Sequence, residues 1–141
     1  MQIFIYFCDN SLFSKFLWNL QKDKHSEEDS HQQHSITTHA IVETIFALIH
    51  RLDTNTVFIF NDLEEERIVR GLKTKLTNSE QRIFFVKDYV VDIDNMYTAL
   101  KLAFHDTLNF KGRITFLTMC NHQIATNIMT RAESENLLTF R

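Results

Sequence analysis

Two short apolar runs end in acid and amide residues: Ile3 to Phe7 leads into Cys8-Asp9-Asn10, and Val57 to Phe60 leads into Asn61-Asp62. At the carboxyl ends of neighbouring strands, Asp9, Asn10 and Asp62 would offer the hard oxygen ligands that Mg2+ takes. The two carboxylates, Asp9 and Asp62, are then the candidate catalytic residues, activating water through the bound ion. The same residue types are favoured helix N-caps, so Asp9, Asn10, Asp62 and Asn121 equally read as caps that need no cofactor. Mg2+ is the one cofactor the pattern suggests.

Other chemistry is thinner. His25, His31, His34 and His39 cluster in a polar stretch, but both cysteines lie far away in sequence, and structural zinc sites usually combine the two at tight spacing. No residue pattern pairs Cys8 with a general base. The chain has no proline and only two glycines, Gly71 and Gly112. Neither G-x-x-x-x-G-K-[ST] nor G-x-G-x-x-G can be written with them, so no glycine-rich loop cradles a nucleotide. A G-x-S-x-G nucleophile elbow is excluded for the same reason.

The elements that would position these residues follow from periodicity. Gln2 to Phe7 reads as a strand buried on both faces. Phe13, Phe16, Leu17 and Leu20 fall at i, i+3, i+4, i+7 and predict a helix capped by Asn10 or Ser11. Residues 22–39 are polar throughout and predict a surface loop. A helix with Ile41, Ile45, Leu48, Ile49 and Leu52 on one face follows, and then the strand Val57 to Phe60. Asp62, with Glu65 three residues later, resembles a capping box for a helix lined by Ile68, Val69, Leu72 and Leu76. Ile83 to Val86 predicts the next strand, or a longer run that continues through Tyr89-Val90-Val91, and Met96, Leu100, Ala103, Phe104 and Leu108 predict a helix starting near Asp94. Ile114 to Leu117 predicts a further strand, and a last helix begins at Asn121. Strands alternating with helices imply one domain over residues 1–141. The expected architecture is a three-layer α/β/α domain with a mostly parallel sheet of four to five strands.

The segment IFIYFCDNSLFSKFLWNLQ, from Ile3 to Gln21, resembles the start of response-regulator receiver domains of the CheY-like kind, and VFIFND is similar to their phosphoacceptor strand. The resemblance implies a regulatory role, with Asp62 as phosphoacceptor. It also implies gaps. The acidic pair after the first strand falls on Cys8 and Asp9, so one acid is missing. The Thr or Ser expected after the next strand falls near Val86-Lys87. The Lys expected after the last strand falls on Thr118 or Met119, without its usual proline. No apolar run within residues 24–38 supplies the family's second strand. Phosphoryl transfer depends on a cation and a fixed Lys to neutralise developing charge. The resemblance therefore implies a degenerate receiver that works by binding partners.

PIN-like nucleases also hold divalent cations on acids at strand ends, and Asp9, Asp62, Glu64, Asp92 and Asp94 can be read that way. The formal charge of −3 lacks the basic excess that nucleic-acid backbones call for. Leu12 and Trp18 fall off the inner stripe of the first expected helix, and Leu137, Leu138 and Phe140 extend beyond the last. Exposed apolar residues of this sort mark a protein partner or a homo-oligomer surface. No apolar run reaches the roughly 20 residues that cross a bilayer. Met1 to Cys8 lacks a basic n-region and a small-residue cleavage site. The two cysteines end apolar runs as reduced thiols, which points to the cytoplasm. The expected function is a non-enzymatic regulatory or protein-interaction module. The alternative is a divalent-metal hydrolase, PIN-like nuclease or phosphatase, using Asp9 and Asp62.

Overall fold

A computed structural model describes the backbone at residues 2–8, 13–19, 30–64, 66–110 and 114–135, and side chains within these from residue 38 onward. In chain order the described elements are β1 (Gln2–Cys8), β2 (Phe13–Asn19), α1 (Ser30–Arg51), β3 (Thr56–Asn61), α2 (Glu66–Thr77), β4 (Phe85–Val90), α3 (Met96–Asp106), a 3-10 turn (Thr107–Asn109), β5 (Ile114–Cys120) and α4 (His122–Ser134).

Every residue of β3 and β5 is buried, which requires cover on both faces of the sheet because successive side chains point to opposite sides. Two core clusters supply it. Val57, Ile59, Leu117 and Met119 pack with Ile41, Val42, Ile45 and Ile49 of α1 and Ile68, Val69, Leu72 and Leu76 of α2. The alternate residues Phe58, Phe60, Ile114, Phe116 and Cys120 pack with α3 and α4 through Met96, Leu100, Ala103, Ile124, Ile128 and Met129. Phe58 anchors the second cluster, with edge-on ring contacts to Tyr89, Phe110 and Phe116.

The chain is α/β with a parallel open sheet: β3 pairs in parallel with β4 on one side and β5 on the other. The full strand order is β2-β1-β5-β3-β4, and β1 runs antiparallel to both β5 and β2. Parallel pairing is thus confined to three strands, against the four to five mostly parallel strands expected, and β1 leads to a strand rather than a helix. The residues Phe13 to Asn19 form β2 although their spacing fits a helical stripe. The segment is rich in aromatic residues, which suit a pleated surface, and pairing with β1 overrides the local pattern. Residues 30–39, expected within a polar loop, belong to α1. Gln and His are tolerable helix residues, and the apolar stripe that packs α1 from Ile41 onward supports the turns before it. Residues 20–29 lie outside the described residues.

Smaller shifts have local causes. β4 begins at Phe85, not Ile83, which is 91% exposed. Lys87 and Asp88 lie inside the strand, as in the longer expected run through Tyr89-Val90-Val91 and not the shorter one that ends at Val86. Lys87 Nζ donates to Asp106 Oδ2 of α3 at 2.6 Å, and Lys73 Nζ of α2 donates to Asp88 Oδ2 at 3.3 Å. Charges in the middle of an edge strand discourage pairing with another chain. Leu108, expected on the inner stripe of α3, is exposed in the 3-10 turn. The turn from α1 into β3 passes through Asp53 at φ 57°. Arg82 holds it, with an ion pair to Asp53 at 3.2 Å and hydrogen bonds to the His50 and Thr54 carbonyls.

Candidate functional site

β3 and β5 lie side by side, yet β3 leads into α2 on one face and β5 into α4 on the other. That makes the crevice between their carboxyl ends a topological switch point, where open α/β sheets usually bind ligands. Asn61-Asp62 and Cys120-Asn121 stand there, as the alternation of strands and helices anticipates.

The side chains at this edge are turned inward on the loops themselves. Asn61, 1% exposed, accepts a hydrogen bond from the Leu63 amide on its Oδ1 at 2.8 Å. Asp62 accepts from the Glu64 amide on Oδ1 at 3.0 Å and from the Asn121 amide on Oδ2 at 2.7 Å. These bonds hold Leu63 at φ 69°, a left-handed conformation that costs a non-glycine residue about 1–2 kcal/mol. Asn121 is the N-cap of α4, and its Oδ1 accepts from the Ile124 amide at 3.0 Å. The arrangement is a capping box split between two loops. Asn121 serves the third helical amide, and Asp62 serves the N-cap amide, as an acidic residue within the helix itself would in the ordinary motif. The negative charge also suits the positive end of the α4 dipole. Asp62 therefore caps a helix, as its residue type suggests, but α4 and not α2; α2 starts at Glu66.

Cys120 is fully buried beneath this edge, and its thiol donates to the Phe60 carbonyl at 3.1 Å. Burial, reinforced by the nearby Asp62 charge, pushes the thiol well above its ordinary value. It stays protonated at neutral pH, which is the state of a structural rather than a nucleophilic cysteine.

Asp9 and Asn10 lie outside the described residues. The strands that lead to the two proposed acids end at opposite edges of the sheet. Cys8 pairs with Ile114, whereas Asn61 pairs with Met119, and these two β5 residues are roughly 17 Å apart along an extended strand. Of the other acids, Asp92 accepts on Oδ1 from the amides of Asp94 and Asn95, and so closes the turn into α3. Glu64 is exposed. Among the described residues no three His, Cys, Asp or Glu side chains are grouped to hold a metal ion. Leu12, Leu137, Leu138 and Phe140 lie outside the described residues; Trp18 stands on β2 opposite Ile3, with its side chain outside them.

Among the described residues, a groove of about 920 Å3 lies elsewhere, between α1 and α2. Val42, Phe46 and Gly71 form its apolar part, and His39, Glu43, Arg67, Arg70, Lys75 and Glu80 its charged part. Glu43 bonds Lys75 and stands 3.6 Å from His39; the Lys75 hydrogen bond holds its carboxyl below the usual range. Sequence reasoning passed over this groove. Its signal is Arg67, Arg70 and Lys75 of α2, on the side away from the buried Ile68, Val69, Leu72 and Leu76, together with a glycine in mid-helix.

No helix among the described residues is long and apolar enough to cross a membrane. No family model matches the chain, and neither a curated protein nor a solved structure is significantly similar to it.

Proposed function

We propose that this chain is a non-enzymatic regulatory or protein-interaction module, a receiver-like three-layer α/β/α domain that acts in the cytoplasm through a protein partner or a second copy of itself. One observation carries the reading: the carboxylate of Asp62 ties together the loops that follow β3 and β5 at the switch point. Both of its oxygens accept backbone amides, and one of those bonds joins the loop after β3 to the one after β5. A phosphoacceptor or metal-holding Asp needs at least one oxygen turned toward the ligand. Releasing Asp62 to a ligand strips the N-cap amide of α4 of its partner and frees the strained turn at Leu63.

The succession β3-α2-β4-α3-β5-α4 supports the receiver-like reading, with Asp62 at the phosphoacceptor place. The antiparallel entry of β1 departs from the parallel sheet that the resemblance implies. The protein is to be incubated with acetyl phosphate and Mg2+, then analysed by intact mass and by hydrolysis of phosphomonoester and single-stranded nucleic-acid substrates. The expected outcome is no added phosphoryl group and no turnover that Asp62→Asn abolishes. Stoichiometric acyl phosphate on Asp62, or Asp62-dependent hydrolysis, overturns the reading.

A further inference from the structure

We propose that β2 is the edge through which this chain associates with a second copy of itself. The β2 strands of two copies pair antiparallel about a two-fold axis at Phe16 and join two five-stranded sheets into one. The proposal rests on the interaction-module reading and names the partner. The order β2-β1-β5-β3-β4 leaves the sheet two edge strands among the described residues, β2 and β4. An edge strand presents backbone N–H and C=O groups that another strand can pair with, and proteins usually blunt it with charges, proline, a bulge or a short length.

β4 is blunted. Lys87 and Asp88 stand at its middle, held by Asp106 and Lys73. Two copies of β4 paired about a two-fold axis at either residue would set like charges opposite each other, which is unfavourable. β2 has none of these protections. Its seven residues, FSKFLWN, include one charge, Lys15, and no proline. Its register against β1 runs unbroken from Gln2↔Asn19 to Cys8↔Phe13, so no bulge turns the edge away. One row of paired residues crosses the whole sheet, from Phe16 through Ile5, Leu117 and Ile59 to Asp88. That row ends apolar at the β2 edge and charged at the β4 edge.

β2 is also its own complement. With the axis at Phe16, the middle of the strand, the two Phe16 residues stand opposite each other. Lys15 then stands opposite Leu17 of the second copy, Ser14 opposite Trp18, and Phe13 opposite Asn19. Aromatic pairs at such positions stabilise antiparallel strands. The two Lys15 residues lie on a diagonal, so no like charges stand opposite, and all seven residues find a partner.

The test uses the full chain with Cys8→Ser, carrying a nitroxide spin label at Val90→Cys on the far edge or at Lys15→Cys beside the axis; Cys120 is buried and stays unlabelled. Sedimentation velocity should show a monomer that becomes a dimer as concentration rises. Four strand spacings within each copy and one between them, each of about 4.8 Å, separate the two β4 strands, so the Val90 labels should lie roughly 40 Å apart by pulsed electron paramagnetic resonance. The two Lys15 positions lie about 7–8 Å apart on the diagonal, and labels there should broaden each other's spectra. Phe16→Lys sets like charges on the axis and should return the protein to a monomer, with circular dichroism checking its fold. The label distances need no change at Phe16, so they decide the matter if that variant does not fold. A chain that stays monomeric overturns the proposal, and so do Lys15 labels without broadening or a folded Phe16→Lys that dimerises as well as the wild type. Val90 labels within roughly 20 Å, as contact through β4 would give, also overturn it. The interaction-module reading fails by a separate signature, acyl phosphate on Asp62 or hydrolysis that depends on it.

Discussion

Removing the carboxylate of Asp62 should lower stability by an amount that its two hydrogen bonds set. The bond from the Asn121 amide is short, at 2.7 Å, and partly buried; the bond from the Glu64 amide, at 3.0 Å, is exposed. Hydrogen bonds to a charged acceptor contribute about 1.5–3 kcal/mol when shielded, and an exposed one contributes less because water replaces it. Asp62→Ala loses both and should cost about 2–3 kcal/mol, or a Tm drop of roughly 6–10 °C for a domain of this size. Asp62→Asn keeps one acceptor oxygen, which can serve only one of the two amides, and should cost about 1 kcal/mol. Urea denaturation followed by circular dichroism measures both. Native-state hydrogen exchange should show the Asn121 amide losing protection in Asp62→Ala more than amides in α1 do. Equal stability of the Ala variant and the wild type would refute the capping role and free Asp62 for chemistry.

Thr54 and Thr115 share a buried hydroxyl hydrogen bond at 2.8 Å beneath the amino ends of β3 and β5. Thr115→Val should cost about 1–3 kcal/mol by stranding the Thr54 hydroxyl, while the double Val variant should recover most of that loss, as a thermodynamic cycle by urea denaturation will read. In a Cys8→Ser background the Cys120 thiol should react with a disulfide reagent only on the timescale of unfolding, because burial keeps it protonated. Fast stoichiometric labelling of native protein contradicts this. Hydrogen bonds from Lys87 and Tyr89 hold the Asp106 carboxyl below its usual range. A depressed folded value adds stability above the ordinary carboxylate value, and this is lost as pH falls through the folded value. The stability gap between wild type and Asp106→Asn should therefore be largest near neutrality and close on acidification, in denaturant titrations run across that range.

The parts legible in the sequence are those fixed by local periodicity. The run Val57 to Phe60 could only be a strand covered on both faces, and Ile68, Val69, Leu72 and Leu76 named the inner stripe of α2 as observed. Asn121 declared the start of α4 through its residue type. Elements decided by distant partners were not legible. Phe13, Phe16 and Leu17 suit a helical stripe as well as a strand, and the pairing with β1 decided between them. Lys87 and Asp88 look like loop residues until Asp106 and Lys73 are brought to them from two helices. Asp62 reads from its surroundings as a cap for α2 or as a ligand, but the amide it holds, that of Asn121 before α4, is 59 residues away, and no local spacing announces such a bond. The groove went unseen because it takes two helices at once to form it.

The central claim, that Asp62 ties the switch-point loops together instead of serving a ligand there, is tested most directly by an amide NMR titration with Mg2+, followed by addition of acetyl phosphate. The Glu64 and Asn121 amide signals should stay in place through both additions, with the Asn121 amide protected from exchange. Saturable shifts of these two amides on adding Mg2+, lost in Asp62→Asn, would contradict it.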